Sequence, residues 1–229
     1  MNIAGWQKVS LIDYPEKICS IVFTQGCNFR CPYCHNPELV KAKLFRPCLS
    51  ETDIFAFLEK RQGKLDAVSI TGGEPTIQPD LVAFIKCIRK IGYLIKIDTN
   101  GSHPDVLEIL INQRLLDYVA MDVKAPLEKY RKVAKSKVDK DKIKQSIEII
   151  INSDLGYEFR TTVVKSLLTM SDLQKIASLI RGARLYVLQK FVASKCLEKK
   201  FLGETTYSDK DFEFLRKKLG EQVQCVIVR

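Results

Sequence analysis

No apolar run in this 229-residue sequence is long enough to span a bilayer; the longest are short and strand-like. The opening, MNIAGWQKVSLIDYPEK, lacks the basic start and apolar stretch of a secretory signal. Together these absences predict a soluble, cytoplasmic chain that does not engage a membrane. There is no internal repeat and no Pro/Gly/Ser-rich linker, so one domain over residues 1–229 is expected. A reducing compartment argues against reading the eight cysteines as a disulfide framework and favours metal binding or chemistry for any that cluster. Five of them (Cys19, Cys48, Cys87, Cys196 and Cys225) are dispersed, and Cys27, Cys31 and Cys34 fall within eight residues.

Apolar residues make up 46% and charged residues 28%, the balance of a globular protein with an ordinary core. The formal charge of +10 attracts anionic partners in principle. Much of the excess lies in KYRKVAKSKVDKDKIK, from Lys129 to Lys144, which carries few aromatics and no nucleic-acid motif. It reads first as a solvated helix–loop surface and second as a docking surface for a protein partner; nucleic acid is not expected there.

Short β-branched runs alternate with amphipathic stretches. ICSIVFTQ, AVSIT, YLIKIDT, YVAMDVK, YEFRTTVV and LYVLQKFV read as strands, with VQCVIV as a closing seventh. Between them, Ser50 and Asp53 resemble a capping box, Leu81, Phe84, Ile85 and Ile88 share a helical face, and Pro104 fits a first turn. Ser171 and Ser208 are candidate caps for two later helices. Six strand–helix units imply parallel strands with helices packed outside. Roughly 190 residues is too short for the eight-unit barrel, so an open, partial (β/α)6 barrel is expected, with a flat doubly wound sheet as the alternative. The motif-bearing core runs from about 17 to 192, and a C-terminal helix and strand cover about 208–229.

In such folds ligands gather at the carboxyl ends of the strands. The first strand runs into GCNFRCPYCHN, the second ends in Thr71-Gly72-Gly73-Glu74-Pro75, the third in Asp98-Thr99-Asn100-Gly101 and the fourth in Asp122-Val123-Lys124; the fifth carries Arg160 and the sixth Gln189. Three thiols in C-x3-C-x2-C fit one loop wrapped around one metal centre, as zinc or an iron–sulfur cluster. Structural zinc wants four closed ligands, and only three thiols are local; His35 is awkwardly adjacent to Cys34, and Cys48 is remote. A cluster held by three thiolates, with one iron open, is the leading reading. Zinc, or thiols that merely pack, are the others.

C-N-F-R-C-P-Y-C-H-N after the first strand, with Gly72-Gly73-Glu74-Pro75 after the second, resembles the radical S-adenosylmethionine (radical SAM) superfamily. The opening GWQKVSLIDYPEK and FTQGCNFRCPYCHNPELV further resemble activating proteins of anaerobic ribonucleoside-triphosphate reductases, within the glycyl-radical activase group, and the similarity continues to about residue 192. The resemblance implies a 4Fe-4S cluster on Cys27, Cys31 and Cys34, with the open iron chelated by the amino and carboxylate groups of S-adenosyl-L-methionine. It places Tyr33 near the adenine, the Gly72 and Gly73 peptide groups at the methionyl amino group, and Glu74 either holding that loop or touching the ligand. Asp98, Thr99 and Asp122 match positions around the methionyl carboxylate and a monovalent cation; Lys124 pairs with the carboxylate or sits beside the sulfonium, making Asp122 and Lys124 the candidate catalytic pair. Arg160 and Gln189 complete the expected cofactor-binding set. A glycine-rich ribose-binding element after the fifth strand is absent.

The implied partners are a glycyl-radical enzyme, an anaerobic ribonucleotide reductase first, and a low-potential electron donor such as flavodoxin or ferredoxin. The same motifs fit an activase of a pyruvate formate-lyase-like enzyme, or a radical enzyme acting on a small molecule or RNA. A zinc-stabilised binding module is the non-enzyme alternative. Cys19, Cys87 and Cys225 lie in apolar runs and read as core packing.

Overall fold

A computed structural model describes residues 1–229. Eight strands form one sheet: β1 (Ile3–Ser10), β2 (Cys19–Thr24), β3 (Ala67–Gly72), β4 (Leu94–Thr99), β5 (Tyr118–Asp122), β6 (Gly156–Val163), β7 (Tyr186–Lys190) and β8 (Val226–Val228). They are hydrogen-bonded in sequence order, with β1 antiparallel to β2 and every later pair parallel. An order that never reverses has no switch point, which rules out the doubly wound sheet. β8 pairs only with β7 and β1 only with β2, so the sheet stays open. The expected strands are all present. The edge strand β1, hidden in the polar, uneven opening segment, was not anticipated.

The helices are α1 (Pro37–Val40), α2 (Glu51–Lys60), α3 (Leu81–Ile91), α4 (Pro104–Asn112), α5 (Tyr130–Ala134), α6 (Lys140–Ile151), α7 (Met170–Leu179) and α8 (Asp209–Leu219). None is long and apolar enough to cross a membrane. In α3 the face of Leu81, Phe84, Ile85 and Ile88 is buried as its periodicity requires, and Gly92 ends the helix at φ +106°. Cys87 falls off that face and is exposed, and Cys225 is exposed just before β8; of the three cysteines expected to pack, only Cys19 is buried. α7 is capped two residues earlier than expected. Thr169, not Ser171, receives the Asp172 amide while Asp172 bonds back to the Thr169 backbone, a reciprocal box that Ser171 is placed too late to make. Ser208 and Asp211 form the same box on α8.

Side chains alternate across each strand, and the two faces have different chemistry. Val68, Ile70, Ile95, Ile97, Val119, Met121, Phe159, Tyr186 and Leu188 point to the helices and belong to one apolar core of 50 buried residues. On the concave face, Tyr14, Cys19, Ile21 and Ala67 plug the strand starts as a small separate cluster. Further along that face the residues turn polar: Lys96 and Asp98 on β4, Asp122 on β5, Glu158, Arg160 and Thr162 on β6. The register lines up these polar ends, setting Asp122 opposite Arg160 and Thr162 opposite Gln189.

Candidate active site

The strand ends enclose a cavity of about 300 Å3, and every residue predicted for the site lines it: the three clustered cysteines, Tyr33, Gly72 to Glu74, Asp98, Thr99, Asp122, Lys124, Arg160 and Gln189. The thiols sit on the loop between β2 and α1, and that loop is fixed from four directions. The Gly73 amide donates to the Thr24 carbonyl at 2.9 Å and the Glu74 amide to the Gly26 carbonyl at 2.8 Å. Asn28 donates to Ser102 at 2.8 Å and accepts from the Asn100 side chain at 2.9 Å, tying the loop to the end of β4. The Arg30 amide bonds the Ala134 carbonyl of α5 at 2.8 Å. His35 bonds the Val192 carbonyl through Nε2 at 2.9 Å and stacks on Phe191, its ring 5.5 Å away. His35 is thereby anchored to the chain just after β7 through Nε2.

The glycine pair is required by the approach of two backbones. Gly72 has φ +112°, and a Cβ there would lie 2.7 Å from the Thr24 carbonyl oxygen. A Cβ on Gly73 would overlap the Gly26 carbonyl. Beside them, Glu74 is almost fully buried, and its carboxylate accepts four hydrogen bonds: Oε1 from the Thr76 amide (3.1 Å), the Thr76 hydroxyl (2.6 Å) and the Thr99 hydroxyl (2.7 Å), Oε2 from the Asn100 amide (2.7 Å). Burial pushes its carboxyl above the usual range against the pull of these donors. Of the two expected roles, holding the loop is the one its hydrogen bonds perform.

The cavity floor is a lattice of alternating charge. Arg160 donates through Nε to Asp122 (2.8 Å) and through an Nη to Asp98 (3.2 Å). Lys124 pairs with Asp122 at 2.9 Å, Lys96 pairs with the other oxygen of Asp98, and Thr71 donates to Asp98 at 3.1 Å. Burial by itself pushes both aspartates up. Arg160 outweighs it, joined by Lys124 at Asp122 and Lys96 at Asp98, and both carboxyls are held below the usual range. Lys124 is correspondingly held well above its ordinary value, burial being overcome by Asp122. Thr162 meets Gln189 at 3.3 Å on the far side.

Lys96, Glu158 and Thr162 escaped the motif reading. Strand parity ties each to a residue that was read: Lys96 lies two residues before Asp98, and Glu158 and Thr162 flank Arg160 at the same interval. The basic stretch also does more than meet solvent. Tyr130 within it is fully buried, and its hydroxyl lies between the Lys124 amide (3.2 Å) and the Asp122 carbonyl (3.5 Å).

Burial raises all three thiols, Cys27 to about 12 and Cys31 to about 11, so a metal centre binds them by displacing protons. The model for the radical SAM superfamily matches residues 21–180. The chain belongs to the radical SAM superfamily. Membership implies a 4Fe-4S cluster and S-adenosylmethionine, and makes the chain an enzyme of radical chemistry. Among radical SAM relatives, a Methanocaldococcus jannaschii protein provisionally named a glycyl-radical enzyme activating enzyme is 34% identical over 99% of this chain and 95% of its own length. The pyruvate formate-lyase-activating enzyme of Clostridium pasteurianum is 33% identical over 54% of this chain and 52% of its own. The structure of SuiB from Streptococcus suis bound to S-adenosylmethionine shares the radical SAM fold at TM-score 0.68 and 13% identity, covering 89% of this chain and 48% of SuiB.

Proposed function

We propose that this radical SAM enzyme activates a glycyl-radical partner, an anaerobic ribonucleotide reductase, using a cluster held by Cys27, Cys31 and Cys34. The observation that carries the reading is that three thiols on one anchored loop border a cavity floored by fixed charges, in a chain similar from end to end to a protein named for glycyl-radical activation. The thiols suit an iron–sulfur cluster in kind. Structural zinc wants four closed ligands and the loop carries three thiols, whereas a cluster takes one thiolate at each of three irons.

A 4Fe-4S cluster held by Cys27, Cys31 and Cys34 would supply the one electron for reductive cleavage of S-adenosylmethionine to methionine and a 5′-deoxyadenosyl radical, the species that would remove hydrogen from a glycine Cα of the partner. The protein's own residues bind, orient and exclude water. The Gly72–Gly73 peptides, held at the cavity wall by the Gly73 and Glu74 amide bonds to Thr24 and Gly26, would offer backbone carbonyls to the methionyl ammonium. Lys124 and Arg160 are the cations available to the methionyl carboxylate, and Tyr33 and Gln189 border the space left for the nucleoside. Each ion pair that this carboxylate draws off frees an oxygen of Asp98 or Asp122, beside Thr99, for a hard monovalent cation; potassium dependence of turnover tests that element. A low-potential donor such as flavodoxin or ferredoxin supplies the electron, its acidic surface suiting the +10 charge.

Anaerobic reconstitution followed by dithionite and S-adenosylmethionine should yield 5′-deoxyadenosine from wild type and none from Cys31→Ala. Adding an anaerobic ribonucleotide reductase should then produce the electron paramagnetic resonance (EPR) doublet of a glycyl radical. A doublet only on a pyruvate formate-lyase-type partner would move the assignment to that activase, which the Clostridium similarity favours as the second reading. Absence of both doublet and 5′-deoxyadenosine from a protein with a full, reducible cluster would sink the proposal.

A further inference from the structure

Glu158 lies on the concave face of β6, 1% exposed and two residues nearer the strand start than Arg160. Its partner comes from the sheet edge, across β7. Arg229, just past β8, donates through Nη1 to Oε1 at 3.3 Å. Its Nη2 stands 3.1 Å from Oε2, which accepts no hydrogen bond. Two backbone bonds place this guanidinium: the Arg229 amide donates to the Leu188 carbonyl (3.0 Å) and the Lys190 amide to the Arg229 carbonyl (2.7 Å). The side chain itself is 47% exposed, so what it contributes is its hold on Glu158 rather than packing.

The other cation within reach of Glu158 is Arg160. Its Nη1 makes a long bond to Asp98, 3.2 Å, and lies 3.9 Å from Glu158 Oε1, the oxygen to which Arg229 donates. One nitrogen therefore stands between two carboxylates, and Arg229 satisfies the second. With Glu158 so held, Lys96, Lys124 and Arg160 face Asp98 and Asp122, three cations to two carboxylates. The surplus is what an incoming carboxylate needs. We infer that Arg229 is a positioning residue for cosubstrate binding: by holding Glu158 it leaves Arg160 to the cavity floor and to the methionyl carboxylate. The inference rests on the reading of this cavity as the S-adenosylmethionine site. A buried carboxylate stripped of its partner is strongly destabilising, so without Arg229 the Glu158 side chain draws Arg160 Nη1 to itself. That movement is towards the strand start, away from the cavity.

The test measures KM and kcat for S-adenosylmethionine, read as 5′-deoxyadenosine, in full-length reconstituted protein with dithionite, iron being counted first. Arg229→Gln should raise KM about tenfold, the order of one charge-assisted hydrogen bond, with kcat changed less than about twofold. Adding Glu158→Gln removes the competing carboxylate and should return KM to within about twofold of wild type. A pair that merely fastened β8 would alter stability, with no rise in KM to rescue. A crystal structure of the reconstituted Arg229→Gln protein, independent of turnover, should show Arg160 Nη1 bonded to Glu158. An unchanged KM in Arg229→Gln, a KM still raised in the double variant, or an unmoved Arg160 overturns the inference. Should Arg229→Gln fail to fold around its unpaired carboxylate, the double variant carries the test. Recovered folding with a wild-type KM supports the inference; a raised KM puts Arg229 on the ligand directly and overturns it. A wild type that yields no 5′-deoxyadenosine overturns the reading of the cavity itself, a failure separate from an unmoved KM.

Discussion

Arg160 stands directly opposite Asp122 in the β5–β6 ladder, and its Nε donates to Asp122 Oδ1 at 2.8 Å. Strand register, not loop conformation, creates this pair. The same guanidinium reaches Asp98 one strand further along, so one side chain neutralises parts of two carboxylates that would otherwise face each other across the cavity floor.

Arg160→Ala should therefore be among the most destabilising single changes in the chain. Removing one member of a buried ion pair costs about 3–5 kcal/mol because the remaining charge is left without compensation. Arg160→Lys restores the charge but not the two-directional reach, and should recover part of that loss. Urea unfolding of the metal-free protein at neutral pH measures both. A loss under 1 kcal/mol in Arg160→Ala would mean that Lys96 and Lys124 hold the aspartates unaided.

Acid sensitivity follows from the same lattice. Asp98 and Asp122 titrate below the usual carboxylate range in the folded protein, Arg160 having outweighed burial. A depressed folded pKa gives stability that is fully present above the unfolded value near 3.9 and is lost as pH falls towards the folded one. Below about pH 4 each such group adds up to about 1.4 kcal/mol per pH unit to the slope of unfolding free energy. Asp122→Asn should flatten that acid limb and lower stability at pH 7. An acid limb as steep as wild type would show that other carboxylates set it.

Gly73→Ala tests the approach of the two loops. The added methyl meets the Gly26 carbonyl, a backbone atom that moves only if the cysteine loop moves with it. Overpacking of this kind costs about 1–3 kcal/mol. The stronger readout is iron content after reconstitution, which should fall because Cys27 follows Gly26 directly. Full iron uptake with unchanged stability would show that the loop yields freely.

Much of this site was legible because strand ends can be read as text. A β-branched run marks each strand, the polar residues just after it are those that the fold brings together, and the cysteine spacing and glycine pair lie at two such ends. What stayed hidden is pairing across strands. Parity puts Lys96 on the face of Asp98 and Glu158 on the face of Arg160, yet nothing local says that this face is interior, since a lysine inside LIKIDT looks like the solvent side of an alternating strand. Their placement depends on which face is concave. Tyr130 was hidden differently: the lysines around it set the character of the segment, while its burial follows from how α5 leans on the cysteine loop. Thr169 was passed over for Ser171 because both are acceptable caps and the backbone chose by where the chain leaves β6.

Glu74 joins the turn after β3 to the turn after β4, and replacing it separates charge from hydrogen bonding. Its Oε1 receives three donors and its Oε2 receives the Asn100 amide. Glu74→Gln keeps the shape and removes the cost of a buried charge. Yet an amide has one oxygen, so in either orientation its NH2 faces at least one of those donors, a repulsive meeting worth about 1–3 kcal/mol. With the oxygen kept towards Thr76 and Thr99, the opposed group is the Asn100 amide. Hydrogen exchange at Asn100 should therefore quicken well before global unfolding, while amides of the α3 core stay protected. Because Gly72–Gly73 and Asp98–Thr99 lie on the two turns that Glu74 joins, the KM for S-adenosylmethionine should rise more than kcat falls. Unaltered exchange at Asn100 together with an unaltered KM would show that the Thr76 and Thr99 contacts hold the turns without it.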